Sequence, residues 1–237
     1  MLKSKFLVSF IMLCSMVFVV SHINENHWLA VTSRALIVPS FTLLYLLNIK
    51  KKSAYFLIFL IAYSISELLS IVGYHMYLEW EYFIGNAFYI VGYLAFSYEI
   101  ISSTNIKHIL SLFQGHVIVL LLLNIYVNYI LIMYQSDTEY FSTTEYFMEL
   151  LYNISTLLLV SASLLNYFYR DDKKALILFL GSLSIAVSEV IQITYYYLLD
   201  PSDSNVLIIS YSLFLILGFY FYYLQSKLEY EEVLVIA

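Results

Sequence analysis

Long apolar segments alternate with short polar ones along the whole chain. A helix needs about 20 apolar residues to cross the hydrocarbon core of a bilayer. All-round apolar character with aromatic residues near the segment ends is typical of such helices and not of barrel strands. We therefore predict an all-α polytopic membrane bundle, a single domain over residues 1–237. The eight predicted transmembrane helices are 6–22, 29–48, 54–75, 82–102, 108–133, 144–168, 174–197 and 205–225.

Basic residues favour one side of this arrangement. Of the 11 Lys and Arg residues, all but Arg34 fall at one end of the predicted helices or in the loops there. By the positive-inside rule, we expect both termini to be cytoplasmic. We expect the membrane itself to be a bacterial inner (plasma) membrane. Residues 1–22 also fit a cleaved signal peptide, with a basic start and an apolar core, but they lack a clear A-x-A site. We interpret them as a membrane-spanning helix.

Composition supports a membrane protein and excludes several other classes. The chain is 62% hydrophobic and 12% charged, with a mean hydropathy of +0.83, far from the values of a soluble domain. The single cysteine, Cys14, excludes an intrachain disulfide and a cysteine-based metal site. The net charge of −6 and the lack of a long basic block argue against nucleic-acid binding. No nucleotide-binding glycine motif or HExxH helix occurs, and we expect no metal or cofactor.

The third and seventh predicted helices each carry a Ser-Glu pair inside an apolar run. In both helices, a polar residue follows the glutamate at +3 and a tyrosine follows it at +7, so the three side chains share one helix face. These two polar stripes are Glu67, Ser70 and Tyr74, and Glu189, Gln192 and Tyr196. A 4+4 arrangement of parallel repeats would bring both stripes to the centre of the bundle.

The depth of the charged residues predicts a shared site. Counted at 1.5 Å per residue, Arg34, Glu67, Glu149 and Glu189 all fall in the outer half of the membrane. Isolated charges are costly there, so these side chains should face one another inside the bundle. Two interpretations stay open: a structural ion pair that fixes helix packing, and a functional polar cavity open to the outer side. Glu149 is the weaker candidate because it also fits an interfacial position.

The functional interpretation assigns roles to seven residues. Glu67 and Glu189 are the candidate catalytic residues. The candidate substrate-binding residues are Arg34, Asn86, Tyr93, Gln192 and Tyr211. We interpret the histidines differently: His22, His27 and His75 as loop residues and His116 as a packing residue.

These motifs together resemble the YhhN family of eight-span membrane proteins, which includes lysoplasmalogenases. The segment SRALIVP at 33–39 is similar to a Lys- and Pro-containing stretch of that family. Ser66-Glu67 and Ser188-Glu189 stand where the family has a small residue followed by Asp. The fourth and last spans resemble the family through Gly85, Tyr89, Tyr93, Phe96, Ser210 and Tyr211. The chain departs from the family in having Glu for both Asp residues, Ala35 for a Pro and Tyr93 for a His.

The resemblance implies hydrolysis of the vinyl ether bond of a lysolipid, with a membrane lipid or lysolipid as the partner. Two carboxylates suit this chemistry, since one can protonate carbon while the other stabilises the resulting cation and activates water. A similar division occurs in glycoside hydrolysis. Two alternatives remain, a non-catalytic lipid-binding relative and a proton-coupled transporter. The sequence leaves the oligomeric state open.

Overall fold

The computed structural model describes residues 2–76, 79–136, 142–197 and 205–228, and every regular element in these ranges is an α-helix. Eight helices are long and apolar enough to cross a membrane, which confirms the predicted all-α polytopic bundle. The protein is thus an integral membrane protein. The helices are α1 (Leu2–Ile23), α2 (His27–Ala35), α3 (Ile37–Asn48), α4 (Ala54–Met76), α5 (Glu79–Ser102), α6 (Ile106–Leu112), α7 (Gln114–Ser136), α8 (Thr143–Arg170), α9 (Lys173–Tyr197) and α10 (Asn205–Gln225).

The second predicted span is interrupted, forming α2 and α3 with Leu36 between them. Pro39 explains the break. It has no backbone N–H to donate to the carbonyl four residues earlier, at Ala35, and its ring crowds that carbonyl. The interruption falls directly after Arg34, so the arginine lies in the last turn of a short helix.

The predicted fifth span, 108–133, is wrong at its start. The membrane-spanning helix α7 begins at Gln114, and the preceding residues form the short helix α6. Asn105 caps α6 by accepting a hydrogen bond from the backbone N–H of His108, as is typical of an N-cap. Lys107 and His108 make this segment polar at its beginning, which separates it from the apolar run that follows.

Helices α4, α5, α9 and α10 pack around an aromatic core. The rings of Phe59 and Phe219 stack at 5.9 Å with an interplanar angle of 8°, and those of Phe96 and Tyr222 meet edge-on at 5.1 Å. All four side chains are fully buried. Many apolar side chains of α7 are instead exposed, as expected where a helix faces lipid.

Two helix pairs approach each other in the same way. A Cβ added at Gly92 of α5 would lie 3.3 Å from the carbonyl oxygen of Phe59, and one added at Gly218 would lie 3.2 Å from that of Gly181. Phe59 and Gly181 each lie eight residues before the glutamate of their helix. Small residues allow such close backbone contact between membrane helices. The matched packing agrees with the parallel repeat predicted for α4–α5 and α9–α10.

The two ends of the bundle differ in charge. The lysine end comprises the start of α1, the turn 49–53, the segment 103–113, the segment 170–174 that joins α8 and α9, and the end of α10. Contacts join several of these parts, such as the 2.7 Å hydrogen bond from Arg170 Nη2 to the backbone oxygen of Ser103. Outside α2, all Lys and Arg residues in the described ranges belong to this end. The opposite end includes the turn 24–26 and the helix ends that carry the predicted site.

Candidate functional site

A cavity of about 300 Å³ lies between the helices, in the half of the bundle farther from the lysine end. We call it the first cavity. Four glutamates from four different helices and one arginine contribute to its walls. These residues are Arg34 of α2, Glu67 of α4, Glu81 of α5, Glu149 of α8 and Glu189 of α9. The charges that the sequence places at similar depth therefore do share one site.

Glu67 is paired with the arginine. Its side chain is 1% exposed, and its Oε2 atom lies 3.6 Å from Nη2 of Arg34. The other oxygen, Oε1, accepts a hydrogen bond of 3.0 Å from the hydroxyl of Tyr89. At 3.6 Å the Arg34 contact is an ion pair without a hydrogen bond, and Oε2 has no hydrogen-bond partner among the described residues. This oxygen is itself buried beside the guanidinium.

Glu189 is surrounded by tyrosines. Its Oε1 atom accepts hydrogen bonds from the hydroxyls of Tyr63 at 3.2 Å and Tyr93 at 3.1 Å. The ring of Tyr152 meets the ring of Tyr93 edge-on at 5.8 Å and lines the same cavity as Glu189. A carboxyl oxygen has two lone pairs and can accept both of these donors. The two glutamates therefore have different surroundings, one facing a cation and the other facing hydroxyl groups.

Small residues set the positions of these helices. The hydroxyl of Ser66 donates a 2.8 Å hydrogen bond to the backbone oxygen of Gly85 on α5. A Cβ at Gly85 would lie 3.3 Å from that hydroxyl oxygen, so a larger residue there would crowd Ser66. On α9, the fully buried Ser188 donates to its own helix at Ile185. The Ser-Glu pairs thus combine a small packing residue with a carboxylate.

The structure places five of the seven predicted site residues in the walls of the first cavity. They are Glu67, Glu189, Arg34, Asn86 and Gln192. Of the polar stripes, Ser70 also lines the cavity, whereas the side chain of Tyr74 is 42% exposed and does not line it. The side chain of Tyr196 lies outside the described residues.

The other two predicted residues take different places. Tyr93 is fully buried and lies behind Glu189, so its predicted position in the cavity wall is wrong. Its hydroxyl is used by the carboxylate and cannot face a substrate. Tyr211 lines a neighbouring cavity, and its hydroxyl accepts a 3.2 Å hydrogen bond from Nη1 of Arg34.

Several residues of the site are not apparent from the sequence. The hydroxyl of Tyr82 donates to Oε1 of Glu149 at 2.5 Å, and Glu149 is buried in the wall of the site. His22 was interpreted as a loop residue, which is wrong. It belongs to the last turn of α1, and its Nε2 atom lies 3.0 Å from the hydroxyl oxygen of Tyr195 on α9. The signal for His22 is its position one helical turn after the buried Phe18.

The predictions for the other histidines have different outcomes. His27 is the first residue of α2, and His75 belongs to α4, so their predicted positions in loops are wrong. His116 packs against the rings of Phe113 and Phe168 at 5.7 and 5.5 Å. These are the packing contacts that we predict, although the His116 side chain is exposed.

Comparisons with protein-family models, with curated proteins and with solved structures find no match to this chain.

Proposed function

We propose that the protein is a lysoplasmalogenase-like hydrolase that cleaves the vinyl ether bond of a lysolipid. One observation carries the proposal: Glu67 and Glu189 line one cavity within the membrane-spanning bundle, and each has a different set of partners. Two carboxylates with different surroundings are the usual means of dividing acid and base roles. The resemblance of the motifs to the YhhN family supplies the substrate class.

Glu189 is the acid in this proposal. Its Oε1 atom is occupied by the hydroxyls of Tyr63 and Tyr93, which leaves Oε2 to carry the proton. Glu189 transfers that proton to the vinyl carbon that is not bonded to oxygen. The electron pair of the double bond forms the new C–H bond. The product of this step is an oxocarbenium ion.

Glu67 stabilises that cation and activates water. The guanidinium of Arg34 lies 3.6 Å from Glu67 and forms an ion pair with its carboxylate. The oxygen of a water molecule bonds to the cationic carbon. One proton of that water goes to Glu67 and then returns to Glu189. The resulting hemiacetal collapses to a fatty aldehyde and a glycerophospho-alcohol. One molecule of water is consumed, so all atoms balance.

The position of the cavity within the membrane suits a lipid substrate. The bond to be cleaved lies next to the glycerol, at the boundary between the apolar chain and the headgroup. We place the lysine end at the cytoplasm, following the positive-inside rule, so the first cavity belongs to the outer half of a bacterial inner membrane.

The test is an assay of the purified protein in detergent micelles with a 1-alkenyl lysophospholipid in D₂O. We expect aldehyde release with one deuterium per molecule at the carbon next to the carbonyl, since the acid delivers a solvent-derived proton to carbon. The matched substrate is the 1-alkyl ether, which has no double bond to protonate and should be stable. Aldehyde without this deuterium would contradict the proposed proton transfer.

A non-catalytic lipid-binding relative is the second candidate. The observation in its favour is Tyr93, which replaces the His of the related family and is fully engaged with Glu189. Tight binding of the alkenyl lysolipid without aldehyde release would select this candidate.

A further inference from the structure

A second cavity of about 270 Å³ lies beside the first one. Arg34 and Gln192 line both cavities. No acidic residue lines the second cavity in the described part of the chain, whereas four glutamates line the first. The polar residues of the second cavity are His22, His27, Arg34, Gln192, Tyr195 and Tyr211. The two cavities therefore have opposite electrostatic character.

Contacts between three helices hold the polar wall of the second cavity in place. The His22 and Tyr195 rings meet edge-on at 5.5 Å, and the hydroxyl oxygen of Tyr195 lies 3.0 Å from Nε2 of His22. The ring of Phe18 packs edge-on against Tyr211 at 6.2 Å. The cavity is thus built from α1, α9 and α10, with α2 supplying Arg34.

Arg34 lies between the two cavities, and its two terminal nitrogens face different ones. Nη2 faces Glu67 in the first cavity, and Nη1 donates to Tyr211 in the second. The side chain of Arg34 is 16% exposed. The planar guanidinium presents several N–H donors in a fixed fork, which matches the oxygens of a phosphate group.

We propose that the second cavity binds a phosphate group, that of the lysolipid headgroup whose vinyl ether occupies the first cavity. The inference rests on the proposed function for the identity of the lipid. Arginine, histidine, tyrosine and glutamine side chains all supply hydrogen-bond donors to an oxyanion. A phosphate would be repelled by the glutamates of the first cavity, so the charge difference also fixes the orientation of the substrate.

The adjacency of the two cavities agrees with the chemistry of a lysolipid. Its vinyl ether and its phosphate are joined by the three glycerol carbons, so the two groups must occupy adjacent sites. Arg34 and Gln192 stand at the boundary of these sites. His22 and His27 line the second cavity and not the first. Substituting them therefore changes the second cavity without altering Glu67 or Glu189.

The test is the binding of a lysolipid that cannot be cleaved, a 1-alkyl ether lysophosphoethanolamine, by calorimetry in detergent. The variant His22→Leu/His27→Leu should bind it about tenfold or more weakly, because leucine has no donor and hydrogen bonds to a charged group are lost. The matched control is His108→Leu/His116→Leu near the lysine end, which should bind it like the wild type. The 1-alkylglycerol, which lacks phosphate, should bind equally to all three proteins.

Equal weakening of the binding of the lysolipid and of the 1-alkylglycerol would overturn the inference. The histidines would then contact the tail or the glycerol. Inorganic phosphate should compete with the lysolipid in the wild type and bind more weakly than it. Tighter binding of inorganic phosphate than of the lysolipid would contradict the lipid headgroup as the source. If the double variant does not fold, Tyr195→Phe provides the same comparison. Because the ligand is not cleaved, a failure of hydrolysis leaves this outcome unaffected.

Discussion

Arg34 and Glu67 form the buried ion pair of the site, with side chains 16% and 1% exposed. We expect Glu67→Gln to lower the free energy of unfolding by about 1–3 kcal/mol, because Arg34 loses its nearest anion. The cost stays below that of a fully buried pair, since Arg34 is partly exposed and Glu81 lines the same cavity. The measurement is thermal unfolding of the purified variant in detergent.

The control for this prediction is the double variant Arg34→Met/Glu67→Gln. Removing both partners leaves no buried charge uncompensated, so it should be more stable than Glu67→Gln alone. Equal melting temperatures for wild type and Glu67→Gln would show that the pair contributes nothing to stability.

The tyrosines around Glu189 offer a second prediction at this scale. Tyr63→Phe and Tyr93→Phe each remove one hydrogen bond to Oε1. Each should cost about 0.5–1.5 kcal/mol of stability and reduce aldehyde release less than loss of the carboxylate does. Tyr220→Phe, on a side chain that is 46% exposed, is the matched control and should change neither quantity. A rate loss as large as that of Glu189→Gln would instead make the tyrosines direct participants in the chemistry.

The sequence predicts the charged residues of the site better than the aromatic ones. Charges inside apolar runs are rare and costly, so Arg34, Glu67 and Glu189 are evident without a structure. The chain has 25 tyrosines, and several of the described ones pack against other rings. Which ones meet a carboxylate depends on the rotation of each helix, which explains the wrong placement of Tyr93 and the wrong interpretation of His22.

At the scale of helices, the contact of α9 with α10 depends on two glycines. A Cβ at Gly181 would lie 2.7 Å from Cδ1 of Tyr222, and Tyr222 is fully buried. We expect Gly181→Ala to lower the free energy of unfolding by about 1–3 kcal/mol through overpacking. Gly115→Ala is the matched control, because no atom lies within 4 Å of the added Cβ. It should be neutral or raise stability by up to about 1 kcal/mol.

Thermal unfolding of both alanine variants tests the packing of α9 on α10. If Gly181→Ala unfolds at the same temperature as the wild type, the two helices are not in close contact at this point. The same measurement on Gly218→Ala provides a second reading, since its Cβ would lie 2.5 Å from Cδ1 of Ile185.

The existence of the helices follows from the sequence, whereas their interruptions follow only in part. Runs of apolar residues as long as the bilayer is thick have no other stable structure in lipid. Pro39 signals the break between α2 and α3, although its exact place at Leu36 is set by packing. No proline or glycine precedes the break at Phe113, and that boundary is missed.

For the whole molecule, the distribution of basic residues predicts orientation. In a Cys14→Ser background, a cysteine at Asn24, in the turn between α1 and α2, should react with an impermeant reagent added to intact cells. A cysteine at Lys173, at the lysine end, should react only after permeabilisation. Both positions are exposed, so accessibility reports sidedness. The reverse labelling would invert the topology and place the site in the inner half of the membrane.

The central claim is that Glu189 acts as an acid and is not merely a packing residue. The direct measurement is aldehyde release by Glu189→Gln together with its melting temperature. Glutamine keeps an oxygen that accepts from Tyr63 and Tyr93 but cannot give up a proton, so we predict a rate loss of about 10²–10⁴-fold with the melting temperature unchanged. Glu99→Gln is the matched control, because Glu99 accepts a hydrogen bond from Ser53 at the lysine end, and it should retain activity. Wild-type activity in Glu189→Gln, or no aldehyde from the wild type with any vinyl ether lysolipid, would contradict the claim.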